Sequence, residues 1–147
     1  MTQQNPGSGL LEKIKKAFEG RLVTEARSHA GNWLGFTLEK AERGRVEFSL
    51  PVRREMTNPF GGLHGGMMGV IVDECMGWAV VTLDLPTRYT TTGLHIDFLL
   101  AAKEGETVRA VSEVIRHGKR IIYAECSVFG ESGRLIARAN SSLIAIA

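Results

Sequence analysis

One stretch constrains this chain more than any other: seventeen residues, Met67 to Leu83, in which Asp73 and Glu74 carry the only charges. It follows a loop rich in breakers, Thr57-Asn-Pro-Phe-Gly-Gly-Leu-His-Gly-Gly66, and stops short of Pro86. The run is too long for an ordinary strand and apolar nearly all round, which predicts a helix buried on most of its sides. It is too short, and too acidic at its middle, to read as a membrane span. A helix without a broad polar face must be wrapped by other elements, so the rest of the chain has to supply the wrapping.

Strand signals supply it. Val46, Phe48, Leu50 and Val52 alternate with polar partners from Arg45 to Arg53, with Pro51 marking an edge or an end, and residues Gly35 to Lys40 are expected to pair with them through Glu42-Arg43-Gly44. Beyond Pro86, strands are expected over Thr92–Ala101, Glu106–Arg116, Arg120–Phe129 and Arg134–Ile146, separated by glycine-containing turns. Two strands, a buried helix and a four-stranded meander predict an α+β fold, an antiparallel sheet wrapped around one central hydrophobic helix. Ahead of it, Leu10, Leu11, Ile14, Ala17 and Phe18 recur at helical spacing opposite lysines, an amphipathic helix read as a lid or packing arm. The expected division is residues 1–30 as tail and amphipathic helix and 31–147 as one domain.

Composition narrows the classes. With 147 residues, 44% hydrophobic and 23% charged, the chain has the make-up of a folded globular domain. Two cysteines cannot staple it, and a net charge of +2 gives no argument for nucleic acid. The polar N-terminus lacks the pattern of a secretory signal, so a cytoplasmic protein with free thiols is expected. His29, His64, His95 and His117 show no metal-ligand spacing, and no metal is expected.

The residues Asn58, Gly61, His64-Gly65-Gly66, Asp73 nine positions after His64 and Thr91 eighteen after Asp73 form a pattern. It resembles that of the hotdog-fold acyl-CoA thioesterases, in the PaaI-like branch of the 4-hydroxybenzoyl-CoA thioesterase superfamily, from about Gly35 to the C-terminus. The resemblance implies an acyl-CoA thioesterase working as a homodimer or homotetramer with composite sites. No cofactor is implied beyond the coenzyme A of the substrate, and no nucleic-acid or membrane-spanning partner.

Thioester hydrolysis needs a polarised carbonyl, a site for the developing oxyanion, and a base or nucleophile. Gly65 and Gly66 stand at the expected start of the helix, where amide N–H groups lack internal partners and the helix dipole is positive; the bland alternative is a plain loop-to-helix junction. Asp73, set among apolar residues, is a costly place for a carboxylate and hence a candidate base or nucleophile, against a purely structural pairing. Glu74 points about 100° away and is either a supporting partner or a surface group. At ~1.5 Å per residue, Gly65 and Asp73 are roughly 12 Å apart along one helix, too far to act on one carbonyl. Two antiparallel helices from two chains would bring Gly65 of one against Asp73 of the other.

The family position makes Thr91 the hydroxyl that orients water beside Asp73, with Thr90 and Thr92 one register step away on either side. Asn58 and His64 are expected to line the pocket or fix its loop. Phe60 and Met68 are candidates for the acyl pocket, with core packing as the alternative, and Arg116, Lys119 and Arg120 for the coenzyme A phosphates, with a solvated hairpin tip as theirs. The rival class is a non-enzymatic acyl-CoA-binding regulator, which would lack the acid and carry an added DNA-binding segment.

Overall fold

The computed structural model describes residues 9–146. The chain forms α1 (Leu10–Phe18), β1 (Arg21–Leu22), α2 (His29–Leu34), β2 (Thr37–Glu42), β3 (Arg45–Pro51), a 3-10 turn at Arg54–Met56, α3 (Gly65–Val81), β4 (Arg88–Phe98), β5 (Thr107–His117), β6 (Ile121–Phe129) and β7 (Leu135–Ile146). All seven strands belong to one antiparallel sheet in the order β1-β2-β3-β5-β6-β7-β4, and α3 lies across its apolar face.

The sheet order corrects one expectation. Of the four strands after α3, only β5, β6 and β7 follow one another as a meander; β4 crosses to the far edge and pairs with β7 from Arg88↔Ile146 to Phe98↔Ala137. A helix apolar all round needs sheet on both flanks. The strands before and after α3 therefore part, and the later meander fills the space between them, with β3 pairing directly to β5. β4 also begins four residues earlier than the pattern suggested and ends three earlier. Threonines 90–92 favour extended backbone, while the amides of Leu99 and Leu100 both turn onto the carbonyl of Ile136 at 2.9 and 3.1 Å.

The core follows from alternation. Val46, Phe48 and Leu50 of β3, Val108 and Ala110 of β5, and Ile122, Ala124, Cys126 and Val128 of β6 all face inward. They meet Ile71, Val72, Cys75, Met76 and Ala79 of α3. Each large apolar side chain buried this way contributes about 1.5–3 kcal/mol. Phe36 stacks on Phe48 at 3.7 Å, and Trp78 of α3 meets both rings edge-on. Cys75 and Cys126 are free thiols in this core, and burial pushes the Cys75 thiol well up from its ordinary range.

α1 packs onto the body of the fold. Phe18 meets Trp78 edge-on at 5.4 Å, the Lys15 ammonium donates to the Ala41 carbonyl at 3.0 Å, and the Glu19 carboxylate accepts the Ala41 amide at 2.8 Å. The helix is thereby stitched to β2. The boundary expected at residue 30 falls inside α2, a helix the periodicity did not announce. Local chemistry did: Ser28 caps its start by accepting the Gly31 amide at 3.0 Å, and Gly35, at φ 66°, ends it in the left-handed region that glycine enters freely. Arg53 finishes the helix by donating to the carbonyls of Trp33 and Leu34.

Candidate active site

The loop into α3 is built by its own side chains. Asn58 Oδ1 accepts the amides of Phe60 and Gly62 at 2.9 and 3.2 Å, closing a turn in which Gly61 adopts φ 79°. His64 caps α3: its backbone is extended and its Nδ1 accepts the Gly66 amide at 2.8 Å. Accepting at Nδ1 places the proton of the neutral ring on Nε2. The cap also separates the two glycines. The Gly66 N–H is engaged by His64, whereas that of Gly65 meets no acceptor among the described residues. At the head of a seventeen-residue helix, the Gly65 amide is a donor free to take an incoming oxygen.

Asp73 is half-buried rather than enclosed, and its Oδ1 accepts the Thr91 hydroxyl at 2.8 Å. Of the three adjacent threonines, Thr91 is the one turned toward the acid. Thr92 turns onto the Ser142 carbonyl at 3.0 Å, at a register irregularity between Thr91 and Gly93. The hydroxyl leaves the rest of the carboxylate open to a water or an electrophile.

Glu74, one residue on, faces elsewhere. Its Oε2 accepts the Ser28 hydroxyl at 2.9 Å and its Oε1 accepts the Trp78 indole N–H at 3.1 Å. Gly31 comes so close that a Cβ there would lie 2.2 Å from Oε1. Glu74 therefore ties α2 to α3, a supporting role visible only once α2 is in place.

β4 runs antiparallel beside α3. Phe98 lies against Gly65, Ile96 against Gly69 and Thr91 against Asp73. The free amide and the carboxylate thus sit at opposite ends of one helix flank, as the helical rise requires. Met68, expected among the substrate contacts, is 4% exposed and belongs to the core, while Phe60 is 94% exposed at the loop tip. Arg116, Lys119 and Arg120 are exposed around the β5–β6 turn. The carbonyls of Gly118 and Lys119 in this turn approach the Tyr89 hydroxyl, so the three cations stand at the Thr91 end of β4. His95 and Asp97 pair at 3.1 Å on exposed β4, and no cluster suited to a metal ion occurs among the described residues.

Phe98 escaped the sequence reading. The alternation Leu94, Ile96, Phe98 was its signal, since it places the ring on the face where Ile96 meets α3.

A long helix enclosed by an antiparallel sheet, with a free amide at its head and a hydroxyl-bound carboxylate at its middle, defines the hotdog class of thioester hydrolase. The family model of the thioesterase superfamily matches residues 60–137, and the chain belongs to that family. It is 27% identical over 119 residues to human acyl-coenzyme A thioesterase 13, covering 80% of this chain and 85% of the relative. The fold is that of the Escherichia coli PaaI protein from the phenylacetic acid degradation operon, at TM-score 0.77 and 19% identity over 82% of this chain and 86% of that one. It is also that of a hypothetical thioesterase protein from Streptococcus pneumoniae solved with coenzyme A, at TM-score 0.72 and 22% identity over 76% and 85% of the two chains. No helix among the described residues is long and apolar enough to cross a membrane.

Proposed function

We propose that the protein hydrolyses acyl-CoA thioesters at sites shared by two copies of the chain, the Gly65 amide coming from one and Asp73 with Thr91 from the other. The observation that carries this reading is the separation of the two functional ends of α3. Eight residues of helix keep them ~12 Å apart, whereas a carbonyl oxygen on the amide and a base at its carbon must lie within a few ångströms of each other.

The edge strand supports it. Nine of the eleven residues of β4 are exposed, its outer edge has no strand neighbour among the described residues, and Leu94, Phe98, Leu99 and Leu100 are exposed along or just past it. Such an edge invites pairing with a second copy. Twofold pairing there sets the two α3 helices antiparallel, head of one against middle of the other.

In the chemistry that follows, Gly65 N–H binds the thioester oxygen and draws charge onto it. Asp73, held by Thr91, takes a proton from water as the hydroxide oxygen bonds to the acyl carbon. The tetrahedral intermediate then collapses, the C–S bond breaks with its electron pair leaving on sulfur, the sulfur takes up the proton that Asp73 had accepted, and the free acid and the coenzyme A thiol depart. Direct attack by the Asp73 carboxylate, giving an anhydride that water then opens, uses the same geometry. Arg116, Lys119 and Arg120 supply positive charge for the coenzyme A phosphates. The coenzyme A named with the Streptococcus pneumoniae structure and the human relative's name support the substrate class.

The test has two arms. Thiol release is measured over a panel of straight-chain and aryl acyl-CoA thioesters; binding without turnover on any of them returns the protein to the regulator class. Next, Asp73→Asn is mixed with Gly65→Pro, a change that removes the N–H at a helix position proline tolerates. Each variant alone is inactive, and random exchange yields half mixed dimers with one intact site of two, hence about a quarter of wild-type activity. Absence of recovery after demonstrated exchange refutes the shared site.

A further inference from the structure

We infer that Phe98 is a substrate-contacting residue that sets acyl selectivity, its ring forming the wall beside the Gly65 amide against which the α-carbon of the acyl group packs. The inference rests on the reading of Gly65 as the oxyanion donor. A Cβ built on Gly65 would meet three atoms of the Phe98 ring, at 3.3, 3.4 and 3.9 Å. The space flanking this amide is therefore already filled by an aromatic side chain of the same protomer. Phe98 is 60% exposed in the single chain, so its outer face is not spent on the core and borders the seam where the shared site is proposed.

A carbonyl oxygen accepting from Gly65 at ~2.9 Å puts its carbon, and the first atom of the acyl chain, about 4–5 Å from the amide nitrogen. The ring stands 3.3–3.9 Å from where a Cβ on Gly65 would lie, on the flank such a chain would pass. A straight chain or a flat aryl group slides along an aromatic face at van der Waals distance, whereas a methyl branch on the α-carbon points into it. β4 gives the ring little freedom to withdraw, because Phe98 is the last residue of the ladder, paired to Ala137, and Leu99 and Leu100 are fastened to Ile136 directly behind it. The same ring reduces water access to the amide, which strengthens a hydrogen bond to developing charge.

The experiment compares butanoyl-CoA with its branched isomer 2-methylpropanoyl-CoA, which have equal carbon number and the same leaving group. Steady-state kcat/KM is measured for the wild-type enzyme, Phe98→Ala and Phe98→Leu. The wild type is expected to favour the straight chain. Phe98→Ala should lower that preference about tenfold or more, the scale on which pockets discriminate a single methyl group, and Phe98→Leu should fall between. A merely structural effect lowers both substrates together, and an unchanged ratio in both variants overturns the inference while leaving the hydrolytic reading intact. Should Phe98→Ala fail to fold, the ratio for Phe98→Leu decides alone. Absence of wild-type turnover on either isomer, and on the wider panel, overturns the hydrolytic reading and this inference with it.

Discussion

Replacing Gly31 by alanine probes whether Glu74 is a tether or a second catalytic acid. Gly31 lies in α2 with ordinary negative φ, so alanine should suit the helix and gain about 0.5–1 kcal/mol on propensity alone. The new Cβ, however, would stand 2.2 Å from Oε1 and 2.8 Å from Cδ of Glu74. The carboxylate must swing away and leave the Ser28 hydroxyl and the Trp78 indole. Hydrogen bonds to a charged acceptor contribute about 1.5–3 kcal/mol each, and half-burial puts these near the lower figure. The net cost should be about 2–3 kcal/mol, which at this chain length lowers Tm by roughly 6–10 °C. In a Glu74→Ala background the obstacle is gone, and the same substitution should turn neutral or slightly stabilising. Thermal melts of the four proteins at one fixed concentration close the cycle, so that subunit association enters each value equally. Equal destabilisation by Gly31→Ala in both backgrounds would refute the tether. Activity gives an independent reading: Glu74→Gln can keep both contacts, because its amide can donate to Ser28 Oγ and its oxygen accept from Trp78. It should retain most of the turnover that Asp73→Asn loses.

Thr91→Val keeps the shape of β4 but removes the donor to Asp73, and kcat should fall about 10–100-fold with KM little changed, measured as steady-state thiol release. His64→Ala strips the side-chain cap from Gly66 and should cost about 1 kcal/mol by denaturant titration, while His64→Asn, a good cap, should restore most of it. The Ala41 amide and then the Lys15 ammonium hold the Glu19 carboxyl below the ordinary glutamate value. A group lowered in the folded state adds stability that is complete above its unfolded pKa and is lost as pH falls through the lower folded one. The wild type should therefore lose an acid-side increment on descending through that window, and Glu19→Gln, followed by melts across the same pH range, should show a shallower decline.

The resemblance of the His64-Gly65-Gly66 and Asp73 pattern located the family from one sequence, because those residues occupy a contiguous loop and helix whose spacing is fixed by 1.5 Å per residue. α2 was harder to see: six residues are too few to show a period, and its evidence is two capping residues, Ser28 and Gly35. The far-edge placement of β4 was not legible at all, since its alternating pattern is as compatible with pairing to β5 as to β7. Met68 and Phe60 carried one shared expectation and came to rest differently, Met68 in the core and Phe60 exposed at the loop tip, because hydrophobicity says a side chain prefers burial but not against what.

The sequence by itself determined that a helix apolar on nearly every side had to be wrapped by antiparallel strands, that the glycines lay at its head and the acid midway along it, and that one chain could not bring the two together. Local periodicity and helical rise suffice for those statements. Tertiary structure decided that Thr91, and not its neighbour one register step away, bonds Asp73, that Glu74 bonds Ser28 and Trp78, that His64 occupies the Gly66 amide and leaves Gly65 open, and that Phe98 stands beside it. These depend on register, on a bulge of one residue and on where a crossing strand comes to rest, which are set by contacts between segments distant in the chain.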